Sequence, residues 1–136
     1  MSFDLKALVS KLNATSRKAV EASIAACVAR SNYEVDPEHL LLSLLDIPNC
    51  DVLRILGYFE VDLGRMSRDL TKALDRLKSG NSRSPTLSPR IMRLLGDAWG
   101  FASIDLGDRE IRSGALLVAT LSSEDLGRLV QESSRR

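Results

Sequence analysis

The sequence predicts an all-α domain: a duplicated helical bundle with pseudo-twofold symmetry and an additional helix at its N-terminus. Apolar residues recur with helical period in nearly every segment, and no convincing strand with alternating polarity appears. Two helix starts, Asp36-Pro37 and Ser88-Pro89, pair a capping residue with proline at the first helical position, where the missing N–H costs nothing. The chain also matches itself when it is shifted by about 76 positions, which indicates an internal repeat.

The repeat aligns two helices and the loop between them. Its matching pairs are Ala22 with Ala98, Ala26 with Ala102, Cys27 with Ser103, Val35 with Ile111, Leu40 with Leu116, Leu41 with Leu117, and Leu45 with Leu121. Helical amphipathicity alone can produce chance matches, but the equal loop length in both copies favours a duplication. Each repeat, over about 13–46 and about 88–122, is therefore a long helix, a loop and a short leucine-rich helix.

The first two predicted helices start at small polar residues. Residues 1–11 form the additional helix, which begins at Ser2. Its apolar side carries Phe3, Leu5, Leu8 and Val9. Asn13 caps a longer helix over 14–31, and mostly small side chains on its inner face allow close packing of neighbouring helices. That expected inner face consists of Ala19, Ala22, Ala26 and Val28.

Three more helices are expected before the middle of the chain. Their predicted ranges are 37–46, 49–57 and 62–79, with Asp36, Asn49 and Asp62 at their starts. A polar linker over about 79–87 follows, because Gly80 and Pro85 punctuate a run of serines. The second repeat then begins at Ser88.

The sequence after Ser88 predicts two helices and a C-terminal tail. One helix runs from Pro89 to about Leu106 and the other from Ser113 to about Leu121. Residues 123–136 are expected to be a C-terminal tail, frayed or leading into a further part of a longer protein. The double-repeat domain therefore covers 12–122.

Composition excludes several classes of protein. Lys and Arg number 19 and Asp and Glu 18, so the basic excess of a dedicated nucleic-acid binder is missing. No run of about 18 apolar residues exists, so no membrane span is expected. Cys27 and Cys50 are too few for a disulfide scaffold and favour reduced core thiols in a cytosolic protein.

The sequence offers few candidates for catalytic or metal-binding residues. The chain has a single histidine, His39, and its two cysteines lack metal-ligand spacing. It contains neither a Gly-x-x-x-x-Gly-Lys-Ser/Thr phosphate loop nor a Gly-x-Ser-x-Gly motif. We expect no catalytic site, metal or cofactor. His39 is expected to pack at the seam of the bundle and donate a hydrogen bond, and Trp99 to anchor the core.

The second helix of the repeat carries a family pattern. The motif EHLLL at 38–42, inside a duplicated helical unit, resembles the amino-terminal domain of the Clp/Hsp100 family, and GALLV at 114–118 is a weaker second copy. The resemblance covers roughly Leu12 to Ser122. Within this family the chain is most similar to the ClpV branch, the AAA+ unfoldases of type VI secretion.

Three features carry the similarity to that branch. They are the additional helix over 1–11, the first-copy segments NATSRKA at 13–19 and SNYEV at 31–35, and the second-copy segments DAWGFAS at 97–103 and IRSG at 111–114. One departure is Ala115, where the branch often has a second histidine.

The resemblance implies a substrate-recognition domain. The parent protein would be a hexameric ATPase of the bacterial cytoplasm, with ATP and Mg²⁺ bound in two AAA+ rings that lie outside this chain. The domain would be monomeric by itself. It would bind the N-terminal helix of the larger contractile-sheath subunit, so that ATP-driven pulling disassembles the sheath. Neither nucleic acid nor membrane is an expected partner.

A helix-binding groove is predicted where the two long helices begin, because the repeat relates these starts to each other. Its predicted residues are Leu12, Ser16, Arg17, Ala19, Val20, Leu87, Arg90, Ile91 and Leu95, with the two arginines at the rim. Most of the apolar members are equally compatible with plain core.

Two other functions remain open from the sequence. A Clp-type domain can recruit adaptors or unfolded clients for a chaperone or protease, and a helical domain of this kind can also be free-standing.

Overall fold

Helices make up most of the computed structural model, which describes residues 5–134. The helices are α1 (Leu5–Lys11), α2 (Ala14–Ala29), α3 (Pro37–Leu45), α4 (Asp51–Tyr58), α5 (Leu63–Asp75), α6 (Pro89–Gly100), α7 (Ser113–Leu121) and α8 (Glu124–Glu132). Two strands of two residues each, β1 (Glu34–Val35) and β2 (Thr86–Leu87), and a π-helical turn at Phe101–Asp105 complete the described elements. Within residues 5–134, no helix is long and apolar enough to cross a membrane.

Asn13, Asp62 and Ser88 cap their helices as predicted, whereas α4 has Cys50 as its N-cap, so the predicted start at Asn49 is wrong. The side chain of Asn13 accepts a hydrogen bond from the Ser16 N–H at 2.9 Å, and that of Ser88 accepts one from the Ile91 N–H at 3.2 Å. Asp62 does the same for Arg65 at 3.1 Å. These side chains satisfy N–H groups that have no partner within the helix. The predicted cap at Ser2 lies outside the described residues.

The two short strands show the pseudo-twofold symmetry directly. β1 and β2 pair in parallel, with Val35 opposite Leu87, and an isolated parallel bridge joins Leu12 to Ile111. The Ser88 N–H donates to the Val35 carbonyl at 3.0 Å, and the Asn13 N–H donates to the Ile111 carbonyl at 3.0 Å. In each repeat, therefore, the segment before the long helix pairs with the segment before the short helix of the other repeat.

The leucines of both short helices form the shared core, as the repeat predicts. Leu40, Leu41 and Leu44 of α3 are 0 % exposed, and so are Leu116 and Leu117 of α7. Leu45 is half-buried against this core. Its repeat partner, Leu121, is 37 % exposed.

The inner face of α2 differs from the prediction. Its buried residues are Ser16, Ala19, Val20, Ser23 and Cys27. Ala22 is exposed and Val28 is 55 % exposed, so both were wrongly assigned to the core face. The true face follows helical spacing but includes two serines, and the hydroxyl of Ser23 donates to the Val20 carbonyl at 2.6 Å. A choice based on apolar character alone misses such positions.

The C-terminal segment also differs from the prediction. The sequence predicts a tail over 123–136, whereas α8 occupies 124–132. Leu126 and Val130 of α8 are 1 % and 6 % exposed, and the helix packs on α7. Most of the predicted tail is therefore part of the folded domain.

Candidate functional site

The predicted groove residues fall into two groups with different neighbours. Those on α2 belong to a helix that packs mainly on α3, and those on α6 belong to one that packs mainly on α7. The pairings described above join Leu12 to Ile111 and Leu87 to Val35. The start of each long helix therefore lies beside the segment that precedes the short helix of the other repeat. That one groove joins both starts stays a prediction.

Burial divides the nine predicted residues further. Six are buried in the core: Leu12, Ser16, Ala19, Val20, Ile91 and Leu95. Leu87 is half-buried, and Arg17 and Arg90 are exposed. In the free domain, only the last three offer side-chain surface to a partner, and the other six can serve only as the floor beneath them.

Arg90 has partners inside the domain. Its Nη1 lies 3.2 Å from Glu38 Oε1 and 3.7 Å from Asp36 Oδ1, at the start of α3. A bound acidic residue would compete with these two carboxylates. Arg90 is therefore a weaker rim charge than the sequence suggests.

Ser16 is an unusual member of the set. It is 0 % exposed, and its hydroxyl has no hydrogen-bond partner among the residues that the structure describes. A buried hydroxyl without a partner destabilises the folded state.

We expect Ser16→Ala to raise the free energy of unfolding by about 1 kcal/mol, because it removes an unpartnered hydroxyl and places alanine in a helix. Urea unfolding followed by circular dichroism measures the change. Ser23→Ala is the matched control in the same helix, because its hydroxyl is hydrogen-bonded. A loss of stability in Ser16→Ala would contradict the assignment of an unpartnered group.

Helix α1 is an integral part of the fold. Leu8 is 2 % exposed, and Leu5 and Val9 are half-buried against the core. At the end of the helix, Lys11 Nζ lies 5.0 Å from the centroid of the Trp99 ring on α6, a cation–π contact. Trp99 is thus half-buried and packed against the core, with one face covered by α1.

The single histidine has a structural role. The His39 Nδ1 accepts a hydrogen bond from the Asp36 N–H at 2.9 Å, so its proton lies on Nε2, which faces Asn32 Oδ1 at 3.0 Å. Asn32 in turn donates to the Lys78 carbonyl at 3.0 Å. Burial lowers the pKa of His39, although Asp36 and Glu38 oppose this shift. The expected hydrogen-bond donation by a histidine at the seam is confirmed.

The other perturbed groups are structural as well. Two hydrogen bonds from Arg112, at 2.8 and 2.9 Å, lower the pKa of Asp51. Burial raises the pKa of the Cys27 thiol. Among residues 5–134, no group of three or more His, Cys, Asp or Glu side chains is arranged to hold a metal ion.

The fold and its duplicated core define a class of domain, and the chain belongs to the family of Clp repeat (R) N-terminal domains, whose model matches residues 11–133. It is 32 % identical over 120 residues to the AAA+ ATPase ClpV1 of Pseudomonas aeruginosa, which covers 88 % of this chain and 13 % of that protein. It is 36 % identical over 128 residues to the chaperone protein ClpB of Yersinia enterocolitica, which covers 94 % of this chain and 14 % of that protein. The chain thus spans about one seventh of these relatives.

A solved complex of a ClpV N-domain with a VipB peptide has the same fold. It superimposes with a TM-score of 0.83 and 32 % identity, over 93 % of this chain and 77 % of that one. The family and fold expected from the sequence are confirmed.

Proposed function

We propose that this chain is the substrate-recognition domain of a ClpV-like AAA+ unfoldase. It binds a short N-terminal helix of the larger contractile-sheath subunit and so brings the sheath to ATP-driven disassembly in type VI secretion. The observation that carries the proposal is the similarity to a ClpV N-domain that was solved with a VipB peptide. The domain itself takes no cofactor. ATP and Mg²⁺ bind in the rings of the hexameric parent, in the bacterial cytoplasm.

The binding surface lies around the starts of α2 and α6. Leu87 supplies apolar contact, Arg17 and Arg90 line the edges, and the six buried members of the set form the floor. An amphipathic helix presents anchors at i, i+3, i+4 and i+7, which suits an apolar strip with charged edges. Binding through such a strip requires no catalytic group in this chain.

Isothermal titration with a peptide that covers the N-terminal helix of the cognate sheath subunit tests the function. We expect the wild-type domain to bind and Leu87→Asp to weaken binding at least about tenfold, because a charge placed at a half-buried apolar contact is desolvated on binding. Val28→Asp is the control, because Val28 is an exposed apolar residue outside the predicted groove. Circular dichroism verifies that both variants are folded.

The possible results test the proposed function and the position of the groove separately. Failure of the wild-type domain to bind the sheath peptide would refute the proposed function. A folded Leu87→Asp domain that binds normally would refute only the position of the groove.

A second function is favoured by the match to ClpB. A domain of that kind recruits adaptors or unfolded clients for a chaperone. Titration with a permanently unfolded model protein, such as reduced and carboxymethylated lactalbumin, distinguishes the two functions. A domain that is specific for the sheath subunit does not bind this protein. Continuation of the gene beyond residue 136 into Walker motifs would rule out a free-standing interaction domain.

A further inference from the structure

The segment between α5 and β2, residues 76–85, is hydrogen-bonded to one short stretch of the first repeat. It forms neither helix nor strand, and such connecting segments are usually among the more mobile parts of a domain. Here the segment is hydrogen-bonded to Ser31 and Asn32, just after the end of α2. These bonds fix its middle to the folded domain.

Asn32 and Asn81 make the hydrogen bonds of this contact. The side chain of Asn32, which is 3 % exposed, donates to the Lys78 carbonyl at 3.0 Å. Asn81 donates from its backbone N–H to the Ser31 carbonyl at 2.9 Å, and from its side-chain amide to the Asn32 carbonyl at 3.1 Å. The side-chain oxygen of Asn81 accepts from the Arg83 N–H at 3.0 Å. Asn81 therefore anchors the segment and also shapes the turn that follows.

The same line of hydrogen bonds continues into β2. The Thr86 N–H donates to the Tyr33 carbonyl at 3.2 Å, and the Ser88 N–H donates to the Val35 carbonyl at 3.0 Å. The residues from Ser31 to Val35 thus hold, in order, the middle of the segment, β2 and the start of α6.

Asn81 limits the length of free chain before β2. Residues 82–84 are exposed, so Asn81 is the last anchored residue before the strand. A pair of two-residue strands is marginally stable by itself. Release of Asn81 would lengthen the free loop, and a longer loop costs more entropy to close. Asn81 therefore stabilises the pairing of β2 with β1.

The strand β2 carries Leu87, the half-buried apolar residue that the proposed function assigns to contact with the sheath helix. A contact residue that is already in place binds more tightly, because no ordering cost is added on binding. We propose that Asn81 is a positioning residue for this binding: it holds β2, and with it Leu87, in the place where the sheath helix meets the domain. Asn81 itself does not touch the peptide. This role rests on the proposed function.

Hydrogen exchange of the free 136-residue chain tests the positioning without any peptide. We expect Asn81→Ala to speed exchange of the Thr86 and Ser88 amides at least about fivefold, because the lost side-chain bonds make local opening easier. The amide of Leu95, inside α6, should exchange as in the wild type. Unchanged exchange at Thr86 and Ser88, or an equal increase at Leu95, would overturn the proposal.

Titration with the sheath peptide tests the consequence for binding. We expect Asn81→Ala to weaken binding about three- to tenfold and saturating peptide to restore slow exchange at Thr86 and Ser88. Ser82→Ala is the matched control, because Ser82 is an exposed neighbour in the same segment, and it should bind as the wild type does. Circular dichroism verifies that each variant is folded.

A double-mutant cycle shows whether Asn81 acts through Leu87. In a Leu87→Ala background, Asn81→Ala should weaken binding no further, because the residue that it positions has been removed. Losses that simply add would overturn the proposal. If the wild-type domain does not bind the sheath peptide, the proposed function fails and the role in binding fails with it. The exchange measurement still decides whether Asn81 holds β2.

Discussion

Replacement of Leu41 by alanine is expected to lower the free energy of unfolding by about 2–5 kcal/mol. Leu41 is 0 % exposed and lies on α3, which contacts α2, α5 and α7. Its loss removes buried apolar surface and leaves a cavity that well-packed helices on several sides cannot close. Urea unfolding followed by far-ultraviolet circular dichroism measures this change.

The repeat makes the prediction sharper. Leu117 is the equivalent of Leu41 in α7 and is also 0 % exposed, so Leu117→Ala should cost a similar amount. Leu121→Ala, at a position 37 % exposed on the same helix, should cost less than about 1 kcal/mol. If Leu121→Ala proved as costly as Leu117→Ala, the described packing of the second repeat would be wrong.

The helical framework was predictable because its signals are local. A capping side chain such as Asn13 or Ser88 acts on an N–H three residues away, so the sequence alone contains both partners. The repeat adds long-range information: it relates α3 to α7 without any knowledge of the fold. Together they predict the class of fold and most helix starts.

Helix α8 was predictable in principle from the same repeat. A shift of 74 positions, two fewer than the repeat otherwise uses, places Val52 on Leu126 and Leu56 on Val130, and both pairs are buried. A shorter loop after α7 hides this match from a search without gaps. The two-residue strands are beyond such reasoning, because two residues have no periodicity.

The candidate site was less predictable than the fold. Apolar residues such as Ile91 and Leu95 have the same sequence signature in a core and in a groove, and the structure buries both. Exposure depends on which helix covers which face.

Replacement of His39 by alanine is the second large effect that we expect, a loss of about 2–5 kcal/mol in the free energy of unfolding. The change creates a cavity and removes the partners of two groups, the part-buried Asp36 N–H and the buried side-chain oxygen of Asn32. The loss of stability should extend beyond α3, because the Asn32 side chain also donates a hydrogen bond to the Lys78 carbonyl at the start of the linker. Hydrogen exchange should therefore show faster opening of residues 78–81 in this variant.

The pH dependence follows from the lowered pKa of His39. Burial and Arg30 lower this pKa below its usual 6.5, and Asp36 and Glu38 only partly oppose them. As the pH falls through 6.5, the unfolded chain binds a proton that the folded domain resists, so stability decreases until the folded-state pKa is passed. Asp51 acts in a separate, lower window. Its pKa is held below 3.8 in the folded state, so its contribution is lost only as the pH falls from about 3.8 toward that lower pKa.

His39→Gln separates the titration from the packing. Glutamine can accept from the Asp36 N–H and donate to Asn32, but it does not titrate. We therefore expect a smaller loss at pH 8 than in His39→Ala, and no decrease between pH 7 and pH 5 that is due to this position. Urea unfolding at several pH values measures both, with Asp51→Asn as the control that retains the histidine. An unchanged slope between pH 7 and pH 5 in His39→Gln would show that another group governs the acid sensitivity of the domain.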